Sequence, residues 1–432
     1  MATVYLKGFA VMDGLQTTWP GLAGNVATYG TGEKLNWEMY DQFVGVGVTG
    51  NLSGNSPYTG TLDRAVYSTG SPLPEFDIIF NTPYTMSLGT AQLLVNGNLA
   101  AFFTDLLAGA DVIHGSRNTE TLVGFGGNDV LIGGAGADTL IGGSGINTAS
   151  YATAKAAVIV DWLGASSGDA QGDTWTGIQN LLGSRFNDRL YANDNANRLT
   201  GGLGNDTLVG RLGADTLDGG AGVDTASYDA SFDPVIASLL NPALNTDAAA
   251  GDKYISIENI AGGTYDDTLY GNNSANRVEG NNYPAGNIVD DDKLFGLGGN
   301  DSLFGYRGDD RLTGGTGKDS LTGGLGRDIF DFNLITESVV GANRDFITDF
   351  TRGTNVTGDD IDLSTIDART TLGGNQAFSW RGTLAFTKVE GQLRFIDQGL
   401  SCLVQGDVNG DGKADFEIMV KAATLGIGDF IL

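Results

Sequence analysis

The chain has 432 residues, with 24 Lys and Arg against 52 Asp and Glu, a formal net charge of −28. So acidic a balance excludes electrostatic capture of nucleic acid or of an anionic membrane surface. Its one cysteine, Cys402, excludes an internal disulfide, and no stretch approaches the ~18 apolar residues of a membrane-spanning helix.

Residues 1–105 contain no repeats. They are rich in Gly, Thr, Tyr and Asn, with short apolar runs such as FDIIF at 76–80, and predict a small domain of short strands and turns. A helix is predicted at its end, over 98–108. There Leu99, Phe102, Phe103, Leu106 and Leu107 keep helical spacing, Asn98 can cap the start and Gly109 can end it. Such a helix is expected to close the open end of whatever repeat array follows. The carboxylates Glu33, Glu38, Asp41, Asp63, Glu75 and Asp77 have no spacing that marks an acid–base pair and read as solvated charge. Trp19, Trp37, Tyr40, Phe43 and Tyr58 read as core rather than as a sugar-binding platform. MATVYLKGFAVMDG at the N-terminus lacks an apolar run of signal-peptide length, so Sec-type export is not expected.

From 106 to 331 the chain reads in nines, as G-G-x-G-x-D-x-U-x with U apolar. GFGGNDVLI at 124–132 and GGTGKDSLT at 314–322 are examples. Three blocks keep one frame each, 106–150, 183–227 and 262–331, and glycine is about twice its usual share largely because of them. Between them, 151–182 and 228–261 break the frame yet resemble each other. TASY recurs at 148–151 and 225–228, and IQN at 178–180 matches IEN at 257–259. They are therefore expected to be longer coils of the same solenoid. The third block carries a seven-residue insertion within 280–295, where 16 residues replace nine.

Each unit has a glycine half that turns tightly and an x-U-x half with room for one brief strand, whose central side chain (Leu303, Leu312, Leu321, Phe330) faces one side. Two units make a coil of 18 residues, and coils stack about 4.8 Å apart. Asp residues 18 apart then face one gap: Asp111 with Asp129, Asp188 with Asp206, Asp206 with Asp224, Asp292 with Asp310, Asp301 with Asp319, and Asp310 with Asp328. Carboxylates and inward-turned carbonyls are hard oxygen ligands, suited to Ca²⁺. The sixth-position candidates are completed by Asp138, Asp215 and Asp267, with Asn147 and Asn197 as substitutes. The glycines expected to shape the turns are Gly133, Gly136, Gly201, Gly204, Gly219, Gly222, Gly314, Gly317, Gly323 and Gly326. The uninterrupted Asp pairs at 292–328 are expected to give the tightest sites, and folding is expected to begin there.

Two enzyme-like motifs fail on context. GASSG at 164–168 fits G-x-S-x-G but sits in a break of the repeats, without the strand–turn–helix frame and histidine that a hydrolase elbow needs. The one histidine, His114, lies at the edge of a repeat and excludes an H-E-x-x-H zinc site.

Residues 332–432 predict a β-rich cap, from alternation at Leu393 and Phe395 and at Phe416, Ile418 and Val420. Within it, DVNGDGKAD places Asp407, Asn409, Asp411 and Asp415 at the first, third, fifth and ninth places of an EF-hand-like loop. Ile418 stands where the bidentate Glu would be, so Ca²⁺ and a plain Asx-rich turn are both open.

The nonapeptides resemble the RTX family of secreted bacterial proteins. Residues 329–363, with RDFITDF and DDIDLS, and LVQGDVNGDGKADFEI at 403–418 are similar to the region that follows the repeats in serralysin-type proteases, whose catalytic domain has no counterpart here. Asp429-Phe430-Ile431-Leu432 is similar to an uncleaved type I secretion signal. The resemblance implies an all-β fold, a parallel β-roll with a β-rich N-terminal domain and a β-rich C-terminal cap. It implies several bound Ca²⁺ ions, a type I exporter as partner and an extracellular location. The expected function is non-catalytic, a structural, surface or matrix role with an extracellular surface or polysaccharide as partner. The rival is a hydrolase or carbohydrate-active protein with its activity in 1–105. A pore-forming toxin would need longer amphipathic helices than the one at 98–108.

Overall fold

Nine residues leave room for one three-residue strand before glycine turns the chain, and the strands of the repeats are of that length, as at Val112–His114, Thr121–Val123 and Thr139–Ile141. The computed structural model describes residues 107–281, 290–353 and 358–432 in full. Of the remainder it describes the backbone of strands Thr3–Tyr5, Gly45–Thr49, Gly60–Ser68 and Phe76–Met86. The chain forms two compact units, residues 1–192 with 197–206, and residues 193–196 with 207–432.

In the first unit, Val112–His114, Val130–Ile132, Thr148–Ser150, Asn180–Leu182 and Arg198–Leu203 pair in parallel, each with the next. Thr121–Val123, Thr139–Ile141 and Thr174–Thr176 form a second parallel set. Val112 faces Val130 and Thr121 faces Thr139, the 18-residue coil of a β-roll. The central residues of these strands, Leu122, Leu131, Leu140 and Leu199, are fully buried, each burial worth about 1.5–3 kcal/mol. Thr3–Tyr5 lies parallel to Val112–His114, and beyond it Phe76–Met86, Gly60–Ser68 and Gly45–Thr49 are antiparallel. Of the predicted helix at 98–108, residues 98–106 lie outside the described residues, and Leu107 and Ala108 lie in a turn.

In the second unit two parallel sheets share one core. One runs Ile236–Ser238, Thr268–Tyr270, Lys293–Gly299, Arg311–Gly317, Ile329–Asp331, Asp360–Asp362 and Phe430–Ile431. The other includes Asn259–Ala261, Arg277–Glu279, Ser302–Arg307, Ser320–Leu325 and Asp345–Ile347. Leu294, Leu312, Phe330 and Ile361 are successive register partners with no exposure, as are Leu303, Leu321 and Ile347. The insertion shows in the register, where Thr268 faces Lys293, 25 residues on instead of 18. From 332 onward the strands join these same sheets. Phe416–Val420 lies parallel to Asp345–Ile347, then Cys402–Asp407 and Gln392–Asp397 follow antiparallel. Among the described residues there is no α-helix, only four short 3₁₀ turns.

The long coils contribute strands as well. Residues 151–182 supply Ile159–Asp161, which pairs with Arg189–Tyr191, together with Thr174–Thr176 and Asn180–Leu182. Residues 228–261 supply the equivalent three, Ile236–Ser238, Lys253–Ile255 and Asn259–Ala261.

Candidate metal centre

At each coil the sixth-position carboxylate reaches back to the coil before it. Its Oδ1 accepts the N–H of the preceding sixth residue, at 2.9 Å for Asp111 to Asp129, 2.7 Å for Asp188 to Asp206, and 2.8 Å for both Asp292 to Asp310 and Asp301 to Asp319. The N–H of Asp310 reaches Asp328 at 3.0 Å. One oxygen of each carboxylate is thus spent on the ladder, and the ladder passes through residues outside the nonapeptide frame. The N–H of Asp138 reaches Asp173, that of Asp215 reaches Asp252, that of Asp319 reaches Asp345 and that of Asp328 reaches Asp359. Asp224 donates to Glu258.

The other oxygen divides the ladder into two kinds of turn. In Asp129, Asp138, Asp292, Asp301, Asp310, Asp319, Asp328 and Asp345, Oδ2 is buried without a hydrogen-bond partner. In Asp188 and Asp267 it accepts the backbone N–H of the second-position residue, from Ser184 at 2.5 Å and Gly263 at 2.6 Å. Glu120 and Asn276 are closed in the same way, by Ser116 and Asn272.

The fourth position accounts for the division within the nonapeptides. The self-closed turns carry Asn118, Phe186, Tyr265 and Ser274 there. The open turns of Asp129, Asp138, Asp301, Asp310, Asp319 and Asp328 carry glycine there at positive φ, +133° at Gly136, +146° at Gly317 and +148° at Gly326, a region that a side chain disfavours; before Asp292 the place is taken by Asp290. A Cβ on Gly317 would lie 1.4 Å from the Gly299 carbonyl oxygen, so the glycine is also required by the stacking of coils.

The first-position glycine forms the cradle. Beside Gly124, the point where a Cβ would sit is 2.4 Å from Asp129 Oδ2 and 2.6 Å from the carbonyl oxygen of Gly142. Gly296 meets Asp301 Oδ2 and the Gly314 carbonyl at 2.4 and 2.5 Å, and Gly305 meets Asp310 Oδ2 and the Gly323 carbonyl at 2.2 and 2.6 Å. Gly133, Gly219, Gly314 and Gly323 stand likewise beside Asp138, Asp224, Asp319 and Asp328, and the Gly201 carbonyl faces Gly183. Carboxylate and carbonyl oxygens converge where a side chain would intrude. Among the described residues no three His, Cys, Asp or Glu side chains gather into a metal cluster. The donor set of carboxylate plus carbonyl fits a hard cation such as Ca²⁺, and a thiolate- or imidazole-bound metal poorly.

Leaving buried carboxylate oxygens unpartnered is costly. Burial pushes Asp292 up to about 10, with Asp310, Asp267 and Asp290 adding to it. Asp310 and Asp345 rise to about 8, and Asp138, Asp301 and Asp328 to about 7, again chiefly by burial. A divalent cation is the partner that would let these groups ionise at neutral pH.

The long coils supply the contrast. There the protein provides a hydroxyl in place of a cation. Tyr151 donates to Asp173 Oδ2 at 2.9 Å and accepts from the Trp175 indole at 3.0 Å. Tyr228 donates to Asp252 Oδ2 at 3.1 Å and also contacts the Tyr254 hydroxyl. Asp359 is satisfied by the N–H of Thr351. Neither tyrosine nor its aspartate could be found by counting in nines, although TASY and the following Asp recur in both breaks.

The remaining motifs stand outside the ladder. In the 407–415 loop both Asp407 oxygens accept backbone N–H groups, from Gly410 and Gly412, and Asp415 accepts from Val408 and from the Asn409 side chain. Asn409 and Asp411 each close a further turn, onto the N–H of Asp411 and Lys413. Ser166 of GASSG exchanges hydrogen bonds with the backbone of Asp161. His114 sits on its strand edge, its pKa lowered by burial.

Comparison with known proteins identifies the repeat. The family described as RTX calcium-binding nonapeptide repeat (4 copies) matches residues 114–149, 176–208, 191–226, 256–282 and 304–333. No curated protein matches the chain. Among solved structures, the AlgE6R3 subunit of the Azotobacter vinelandii mannuronan C5-epimerase is similar at 26% identity and a TM-score of 0.24, over 39% of this chain and 78% of that one. The AlgE6R2 subunit of that enzyme is similar at 22% identity and a TM-score of 0.25, over 46% and 92%.

Proposed function

The chain carries the RTX calcium-binding nonapeptide repeat, and from that premise we propose that it is a secreted, non-catalytic protein that folds when it meets extracellular Ca²⁺. The observation that supports this most is the set of eight buried carboxylates with one oxygen unpartnered, in a chain of net charge −28. Asp129, Asp138, Asp292, Asp301, Asp310, Asp319, Asp328 and Asp345 would hold the ions, together with carbonyls such as those of Gly142, Gly314 and Gly323. When bound, the ions supply positive charge between coils.

An ion with a Kd of ~10⁻⁴ M, typical of extracellular modules, stabilises by about 1.4 kcal/mol at millimolar Ca²⁺. Eight such ions contribute about 11 kcal/mol, on the scale of a whole domain's ~5–15 kcal/mol. In a cytoplasm poor in free Ca²⁺ the chain stays largely unfolded and passes through a type I exporter. In the fold, Phe430–Ile431 pairs with Asp360–Asp362, and Asp429 is buried against Arg352. The exporter therefore engages this tail before the roll closes. Outside the cell the folded roll serves a structural, surface or matrix role, with an extracellular surface or polysaccharide as its partner.

Circular dichroism in chelator and in millimolar Ca²⁺ tests the reading. A coil-like spectrum that turns to β-structure on adding Ca²⁺ is expected. An unchanged spectrum and melting temperature would overturn it.

A further inference from the structure

The third block departs from the repeat at one buried place. Its insertion ends in Asp290-Asp291-Asp292. Asp292 occupies the sixth position, since its Oδ1 accepts the Asp267 N–H and its own N–H reaches Asp310. Asp290 therefore stands at the fourth position, which is glycine at Gly299, Gly308, Gly317 and Gly326.

The stacking agrees with that register. The carbonyl of Asp290 lies 1.7 Å from where a Cβ on Gly308 would be, as the Gly299 carbonyl lies beneath Gly317 and the Gly308 carbonyl beneath Gly326. The Asp290 side chain is 1% exposed. Its Oδ2 accepts the Asn281 amide at 3.0 Å, and its Oδ1 is buried without a partner. Among the described residues it makes no ion pair. Its charged neighbours are carboxylates: Asp266 and Asp291 act on it, and it acts on Asp267, Asp292 and Asp310. Beside it, Asp292 Oδ2 and the Gly305 carbonyl face one point next to Gly280, at 2.0 and 3.1 Å.

A buried carboxylate with a free oxygen, among like charges and without a counter-cation, calls for a cation from solution. We propose that Asp290, with Asp292 and the Gly305 carbonyl, forms an additional divalent-cation site at the insertion, richer in charge than the ordinary turns and tighter for Ca²⁺. The site rests on the calcium reading above and adds to it a position that the repeat pattern does not contain. Affinity in oxygen-ligand sites rises with the number of ligating charges. The insertion would then supply the first ion to bind as Ca²⁺ rises, in the part of the chain richest in open turns.

The test is a Ca²⁺ titration of the full chain against a chromophoric chelator, for the parent, Asp290→Asn and Asp290→Gly, with folding in excess Ca²⁺ checked by circular dichroism. Asparagine keeps the shape and removes the charge; glycine restores the repeat. The expected result is one ion held more tightly than the rest in the parent and weakened about tenfold or more in both variants. Isotherms that superimpose for parent and variants, with the other ions still bound, would overturn the additional site alone. A parent that takes up no Ca²⁺ would overturn the calcium reading and this site with it.

Discussion

Replacing Asp310 by asparagine should stabilise the fold by less in calcium than in chelator. Asparagine retains an oxygen for the Asp292 N–H, now at 2.8 Å, and loses the charge on the unpartnered side. In chelator at pH 7, burial holds the Asp310 carboxyl at about 8, against about 3.9 in an unfolded chain. Keeping it protonated then costs the fold on the order of 4 kcal/mol, at about 1.4 kcal/mol per pH unit. The variant escapes that cost and should be the more stable of the two in chelator. In millimolar Ca²⁺ it forfeits at least one ion, worth about 1.4 kcal/mol at a Kd of ~10⁻⁴ M, so its advantage over the parent should shrink by at least that amount. Urea melts in Ca²⁺, and osmolyte-induced refolding in chelator, where the parent is largely coil, measure the two differences. A shift of equal size in both buffers would refute the claim that this carboxylate is kept for a cation.

Two further outcomes follow from the same geometry. Asp129, Asp138, Asp301, Asp310, Asp328 and Asp345 have folded pKa values raised to between about 6 and about 8. Their contribution to stability is full below the unfolded value near 4 and is lost as pH rises through the folded values. The chelated protein should therefore hold more β-structure by circular dichroism at pH 4.5 than at pH 7.5, and a flat or rising profile across that window would contradict the assignment. Tyr228→Phe leaves Asp252 Oδ2 without its hydroxyl and should cost about 1–3 kcal/mol in urea melts in Ca²⁺. An unchanged melt in Ca²⁺ would show that a cation, and not the tyrosine, holds Asp252.

The roll itself was legible because glycine and leucine recur at fixed offsets. Leu303, Leu312, Leu321 and Phe330, picked out as the inward side chains, are all fully buried. The 18-residue pairing of aspartates is the ladder register observed, as between Asp292 and Asp310. The alternation at Leu393 and Phe395 and at Phe416, Ile418 and Val420 marks strands that are antiparallel to Cys402–Asp407. Their attachment to Asp345–Ile347 depends on a pairing far apart in sequence, which local periodicity does not carry.

The site was less legible, for two reasons. Asp173, Asp252, Asp345 and Asp359 continue the ladder at spacings other than 18, so a search in nines passes over them. Asp188 and Asp267 match the repeat, yet Phe186 and Tyr265 at the fourth position go with a turn closed on its own N–H. Glycine at that place turns the chain. It also marks the turns in which a carboxylate oxygen is left over.

Crystals grown in Ca²⁺ and measured at a wavelength where calcium scatters anomalously would test the central claim most directly. Peaks are predicted beside Asp129, Asp138, Asp292, Asp301, Asp310, Asp319, Asp328 and Asp345, with none at the Tyr151–Asp173 and Tyr228–Asp252 pairs. Peaks absent from the open turns, or present equally at the tyrosine pairs, would contradict it.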